Sequence, residues 1–192
     1  MAFLQAGVLA SCADMATQTM ESGSIHSVSH VLSMALVAST MSGAMNAVWL
    51  RQLEEKFPGK STQAVISKTM IHAVILASII NSAYLVGVPL FTQHLFPAHH
   101  HGDLMTMLLH HPSSLFQHWS TDQFITLTKL EICMFIPYNT LAFQFVPPSI
   151  RPLTHATISA TFNVAVSAVT LGYFDTWVER ASAMVQHIVL VS

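Results

Sequence analysis

Four stretches of this chain contain no Asp, Glu, Lys or Arg. They run for 29 residues between Glu21 and Arg51, 34 between Lys68 and Asp103, 19 between Glu131 and Arg151, and 23 between Arg151 and Asp175. A helix needs about 20 such residues to cross the hydrocarbon core of a bilayer. A soluble domain of 192 residues needs a charged shell, and a charged fraction of 8% cannot furnish one. Backbone polar groups in lipid must be satisfied within their own segment, and no alternation of the transmembrane-barrel type is visible. The sequence therefore predicts an all-α, polytopic transmembrane helical bundle, with residues 1–192 forming one transmembrane domain.

Four to five membrane helices are expected. The first, residues 1–20, carries Gln5, Asp14 and Gln18 and is expected to cross obliquely or to lie partly in the interface. Residues 26–50 form the cleanest span. Residues 63–96 exceed one crossing, so Pro89 is expected to kink or end that helix. A His-rich loop over 97–118 follows. Residues 119–146 enclose Pro137, and residues 152–173 follow the break at Pro147-Pro148. In the tail, 174–192, apolar Phe174, Val178, Ala181, Val185 and Ile188 recur at helical spacing opposite Asp175, Glu179 and Arg180. That is an amphipathic helix, read first as packing on the bundle, with a membrane-surface helix and a docking surface as alternatives.

Small residues recur every fourth position: Ala35, Ser39, Gly43 and Ala47 in the second helix, Ala73, Ala77 and Asn81 in the third, Ser159, Asn163 and Ser167 in the fifth. Such faces let helix backbones approach closely in lipid. Arg51, Lys56 and Lys60 share one loop and Arg151 another, whereas the His-rich loop has neither Lys nor Arg. The positive-inside rule puts the first two loops on the matrix or cytoplasmic side.

A net charge of −2 and a pI near 6.6 leave no basic patch for nucleic acid. Cys12 and Cys133 lie in apolar runs without metal spacing and read as small buried hydrophobes. The start, MAFLQAGVLASCADMATQ, has no basic residue and resembles neither a secretory signal nor an Arg-rich transit peptide. Seven of the twelve histidines crowd between His94 and His118, yet three consecutive ones match no defined ligand spacing, so no metal and no cofactor is expected. No nucleophile elbow, phosphate loop or dinucleotide fingerprint is present, so no catalytic residue is assigned.

The residues left to carry function are polar groups within the spans: Asn46, His72, Asn81, Asn139, Thr140 and Asn163. They either line a polar path or hydrogen-bond between helices; such bonds contribute roughly 0.6–2 kcal/mol each. Glu131 and Lys129 read as an interfacial pair. Trp49, Trp119, Trp177, Tyr84, Tyr138 and Tyr173 read as interfacial anchors.

The stretch from Gly43 through Trp49 and Leu53 to Pro58-Gly59 resembles the Mpv-seventeen and peroxisomal membrane protein family of small helical membrane proteins. Gly7, Asp14 and Gln18 sit where that family has a Gly…Gly-Asp…Gln helix. Lys68, Pro137, Phe143, Pro147, Arg151, Asn163 and Ser167 match further motif positions, the last two within Phe162-Asn163…Ser167. Departures are Ala44 for proline, His72-Ala73 for Asp-Gln, Ile136 and Phe162 for tryptophans, and Ala142 for asparagine. The resemblance implies a non-catalytic protein of the mitochondrial inner membrane, or alternatively the peroxisomal membrane, acting as a small-solute channel or organelle homeostasis factor. The replaced motif residues, the His-rich loop and the tail favour the alternative of an accessory structural subunit. It would sit in a large mitochondrial complex, a respiratory complex or ATP synthase, with membrane-protein partners besides the lipid bilayer.

Overall fold

The computed structural model describes residues 1–94 and 119–191; they are helical, with no strand among them. The His-rich loop at 97–118 lies outside the described residues. Helix α1 spans Ala2–Ser22 and stops at Gly23, whose φ of 75° lets its N–H reach back to Thr19 O. Helix α2, Val28–Lys56, starts under the Ser27 side chain, which accepts from His30 N–H. It stops where Pro58 and Gly59, the latter at φ 88°, turn the chain. Ser61 caps α3, Thr62–Gln93. Ser120 caps α4, Thr121–Phe145, and α5 follows at Arg151–Thr170. Gly172, at φ 80°, turns the chain by 108° into α6, Phe174–Val191.

Helices α2 and α3 are each long and apolar enough to cross a membrane, and a bent α5–α6 pair would make a third span. Pro89 lies inside α3 and does not end it. Proline costs a helix one backbone bond, here the one that Leu85 O would accept, a loss that helices in apolar surroundings tolerate. Both α2 and α3 also contain a wider π-helical segment, over Ser39–Met45 and His72–Leu76. Such bulges rotate the following face of the helix and are frequent at functional sites.

Helix α1 packs against α5 and α2, α2 against α3, and α3 against α4. The small-residue face of α2 makes the first crossing close. A Cβ on Gly7 would collide with Ser39 Oγ, and one on Gly43 would lie 2.7 Å from Phe3 Cα. Because that obstacle is backbone, Gly43→Ala must push α1 outward. Overpacking of this kind costs about 1–3 kcal/mol, which thermal unfolding of the purified protein in detergent will register.

Asp14 and Gln18 are fully buried, with Asp14 bonded to His30 of α2 and Ser167 of α5. Cys12 and Cys133 are exposed, which corrects their reading as buried hydrophobes. On a helix surrounded by lipid an apolar side chain gains nothing by turning inward, so composition cannot say which way it faces.

Among the described residues, the tail is tied down near its start. Glu21, past the apolar part of α1, accepts from Trp177 Nε1 at 3.0 Å and from both Arg180 guanidinium nitrogens at 3.0 Å each. The Trp177 bond first, then Arg180, hold the Glu21 carboxyl below its ordinary range. A carboxyl depressed in the folded state stabilises it above the ordinary carboxylate range and loses that contribution as pH falls through the lowered value. Acidification below that range will therefore release α6 before the bundle, seen as earlier proteolytic cleavage of the tail.

Candidate functional site: a polar column between two clefts

Helix α5 carries Arg151, His155, Ser159, Asn163 and Ser167, four residues apart, and all are buried. Four residues advance a helix by about 6 Å, so this stripe rises about 24 Å. That rise compares with about 30 Å for the hydrocarbon core of a bilayer. Arg151, His155, Asn163 and Ser167 each meet polar groups from other helices, Ser159 meets His155, and the result is a column with four levels.

At the lowest level two cations share one carboxylate. Lys68 Nζ donates to Glu54 Oε2 at 3.1 Å and to Gly59 O at 2.9 Å. Arg151 Nη1 donates to the same Glu54 oxygen, Nε to Val146 O at 2.9 Å and Nη2 to Phe143 O at 3.3 Å. Both cations also stand over the Phe143 ring, 5.3 and 5.2 Å from its centre. The Pro58-Gly59 turn thus presents a carbonyl to Lys68. The break at Pro147-Pro148 frees the carbonyls that Arg151 collects.

One turn higher, Asn46 Nδ2 donates to His155 Nδ1 at 2.9 Å, and Ser159 Oγ lies 3.2 Å from the same nitrogen. His72 stands beside it, ring centres 5.3 Å apart, and Phe135 stacks on it at 4.8 Å. At the third level Tyr84 O–H donates to Asn163 Oδ1 at 3.0 Å and lies 3.2 Å from Ser42 Oγ. Asn81 Nδ2 donates to Thr128 Oγ1 at 3.3 Å.

The highest level is built on Asp14. Its carboxylate accepts from Gln18 Nε2 at 2.9 Å, from His30 Nδ1 at 2.9 Å and from Ser167 Oγ. His30 Nε2 lies 3.1 Å from Thr170 Oγ1. Gln18 Oε1 accepts the N–H groups of His26 and Ser27, fixing the α1–α2 turn.

Each end opens into a cleft. Arg51, Glu54, Glu55, Pro148 and Arg151 line one of about 220 Å³. His30, Thr92, Gln123 and Thr170 face one of about 300 Å³. Between them, several buried atoms have no hydrogen-bond partner: Asn46 Oδ1, Trp49 Nε1, Thr69 Oγ1, His72 Nδ1, Asn81 Oδ1, Glu131 Oε2, Asn139 Nδ2 and His155 Nε2. A buried unpaired polar group costs about 1–3 kcal/mol. Ordered water is the usual partner of such groups.

The span residues expected from the sequence, Asn46, His72, Asn81, Asn139 and Asn163, all face this interior. Thr140 does not: it is exposed and bonds Ile136 O. Glu131 is buried while Lys129 is exposed, so the expected interfacial pair is absent among the described residues. Two positions apart on a helix, they point to different sides. Tyr84 is a core residue, not an interfacial anchor. Of the motif positions, Gly7 and Gly43 make the α1–α2 crossing. Asp14, Gln18 and Ser167 build the top level, and Lys68, Phe143 and Arg151 the bottom. Sequence reasoning missed His30, His155, Tyr84 and Ser42. The four-residue period from Arg151 to Ser167 was the available signal for His155.

No metal-binding group of three or more His, Cys, Asp or Glu side chains occurs among the described residues. No protein-family model, curated protein or solved structure matches the chain.

Proposed function

We propose that this chain is a non-catalytic, multi-pass membrane protein in which α1–α5 cross the bilayer and enclose a gated path for small polar solutes. The observation that carries the reading is the stripe from Arg151 to Ser167, with unpartnered polar atoms along it and a cleft at each end. Interhelical glue would pair those atoms; a conducting interior leaves them for its cargo. Tyr84, fully buried between Ser42 and Asn163, is the closure in this conformation. The resemblance to the Mpv-seventeen family supports the channel reading and the mitochondrial inner membrane as its site. The test is swelling of proteoliposomes in small polyols. Flux well above that of protein-free vesicles is expected, falling at least tenfold in Asn163→Leu and Asn81→Leu. Thr140→Val, on the outer surface, leaves it unchanged. Flux equal to that of empty vesicles overturns the proposal.

A second reading, an accessory subunit of a large mitochondrial membrane complex, is favoured by one feature. From Val178 to Met184 helix α6 is exposed on every side, with Val178 and Met184 uncovered. Migration with a complex of much higher mass on a native gel, lost on deleting residues 174–192, would support it. Migration at the mass of a monomer or small oligomer would remove it.

A further inference from the structure

Two buried carboxyl groups lie among the helices, and they are kept differently. Asp14 receives three donors, one of them from an imidazole. Glu131, only 6% exposed, has no ion-pair partner among the described residues. Its surroundings supply few charges. From α3 it is faced by Tyr84, which feels its charge; His72 and Lys68 on that helix are engaged at lower levels, with Phe143 and Glu54. From α5 the nearest titratable group is His155, stacked on Phe135 one turn along α4, and Arg151 below it is bonded to Glu54. On α4 itself Lys129 is exposed on another side. An ionised carboxylate here would lie in apolar surroundings with no cation to offset it, which is costly.

The hydrogen bonds of Asn81 show what is missing. Its amide has two N–H groups to give and one carbonyl to satisfy. Asn81 Nδ2 donates to Thr128 Oγ1 at 3.3 Å, and the same side chain is hydrogen-bonded to the Glu131 carboxyl. Thr128 and Glu131, three residues apart on α4, share the face turned to Asn81. Two buried oxygens of these bonded neighbours have no donor: Asn81 Oδ1 and Glu131 Oε2. Both are acceptors while the acid is ionised. One proton on Oε2 converts it into a donor, and a carboxylic acid and a primary amide then close a ring of two bonds, N–H to one carboxyl oxygen and O–H to the amide oxygen. A water donating to both oxygens would leave the buried charge in place.

We propose that Glu131 and Asn81 form a proton-binding site inside the membrane, the proton standing on Glu131 Oε2 and donated to Asn81 Oδ1, and that its release loosens the Tyr84 closure. Tyr84 follows Asn81 by three residues and shares its face of α3. When hydroxide takes the proton, water forms and a carboxylate remains beside Tyr84. A charged acceptor draws the Tyr84 O–H more strongly than the neutral Asn163 Oδ1 that it bonds in this conformation. The inference rests on the path reading for the closure, and not for the proton site.

The site is tested by infrared spectroscopy of the full chain in lipid vesicles. At neutral pH a carboxylic-acid C=O stretch is expected that is absent from Glu131→Gln, whose amide mimics the protonated acid in shape. The band should move to higher frequency in Asn81→Leu, which removes both bonds, and convert to a carboxylate band when wild type is made alkaline. Helical circular dichroism confirms that the variants fold. A Glu131 carboxylate band at neutral pH, or an acid band unmoved in folded Asn81→Leu, overturns the site. For the closure, polyol flux in wild type is expected to rise with pH by up to about tenfold per unit, the limit for one linked proton. Glu131→Gln should remove that rise, and an equal rise in the variant overturns the link to Tyr84. An acid band without flux at any pH would sink the path and leave the proton site standing; flux without the acid band would do the reverse.

Discussion

Replacing Arg151 with leucine will lower the unfolding free energy by about 3 kcal/mol, the scale for removing one partner of a buried ion pair. Leucine keeps much of the volume, so packing loss is not the main cause. What disappears is a fork that gathers Glu54 and the carbonyls of Val146 and Phe143. Helices α2, α4 and α5 meet at that fork. Lysine at position 151 restores the charge without the planar donor geometry, so Arg151→Lys is expected to recover less than half of the loss. Equilibrium unfolding in mixed micelles measures both. Equal stability of wild type and Arg151→Leu would show that Lys68 alone satisfies Glu54.

The second large effect is expected at Asp14, where the variant is nearly isosteric. The carboxylate is completely buried and receives donors from Gln18, His30 and Ser167. An amide in its place would turn an NH₂ group toward one of these donors, leaving a donor opposed to a donor. Bonds to a charged acceptor contribute about 1.5–3 kcal/mol each, so Asp14→Asn is expected to cost about 3 kcal/mol after the cluster relaxes. Equilibrium unfolding under the same conditions reads this loss. It should be smaller when combined with Ser167→Ala, because the two substitutions remove the same contact. An additive double variant would mean that Ser167 and Asp14 contribute independently.

Both predictions concern residues whose type stands out in the sequence and whose position does not. Asp14 in an apolar segment is conspicuous, and it suggested a helix that is oblique or partly in the interface. Whether its carboxylate is buried is not legible along the chain, because its partners His30 and Ser167 lie 16 and 153 positions away. Likewise Lys129-x-Glu131 looks like a pair in one dimension, although helical rotation places the two on different sides. Tyr84 shows the converse error. An aromatic hydroxyl within an apolar run fits an interfacial belt by composition, and only its neighbours Ser42 and Asn163 make it a core residue.

What the sequence determined by itself is the all-helical class and most helix limits; α2 differs, continuing through Arg51 to Lys56 where a loop was expected. Caps, glycines and proline breaks act within a few residues, and long runs without charge admit little besides helices in lipid. The small faces through Ser39 and Gly43 were legible for the same local reason: a missing side chain permits close approach wherever the partner comes from. Tertiary structure alone decided which polar groups meet. In lipid the apolar residues carry almost no information about inside and outside, since both environments suit them. Orientation is then set by a few polar side chains finding partners far away in sequence. The column from Arg151 to Ser167 exists because α1, α2, α3 and α4 each bring a donor or acceptor to α5 at the matching height, and no local pattern on any one helix encodes that match.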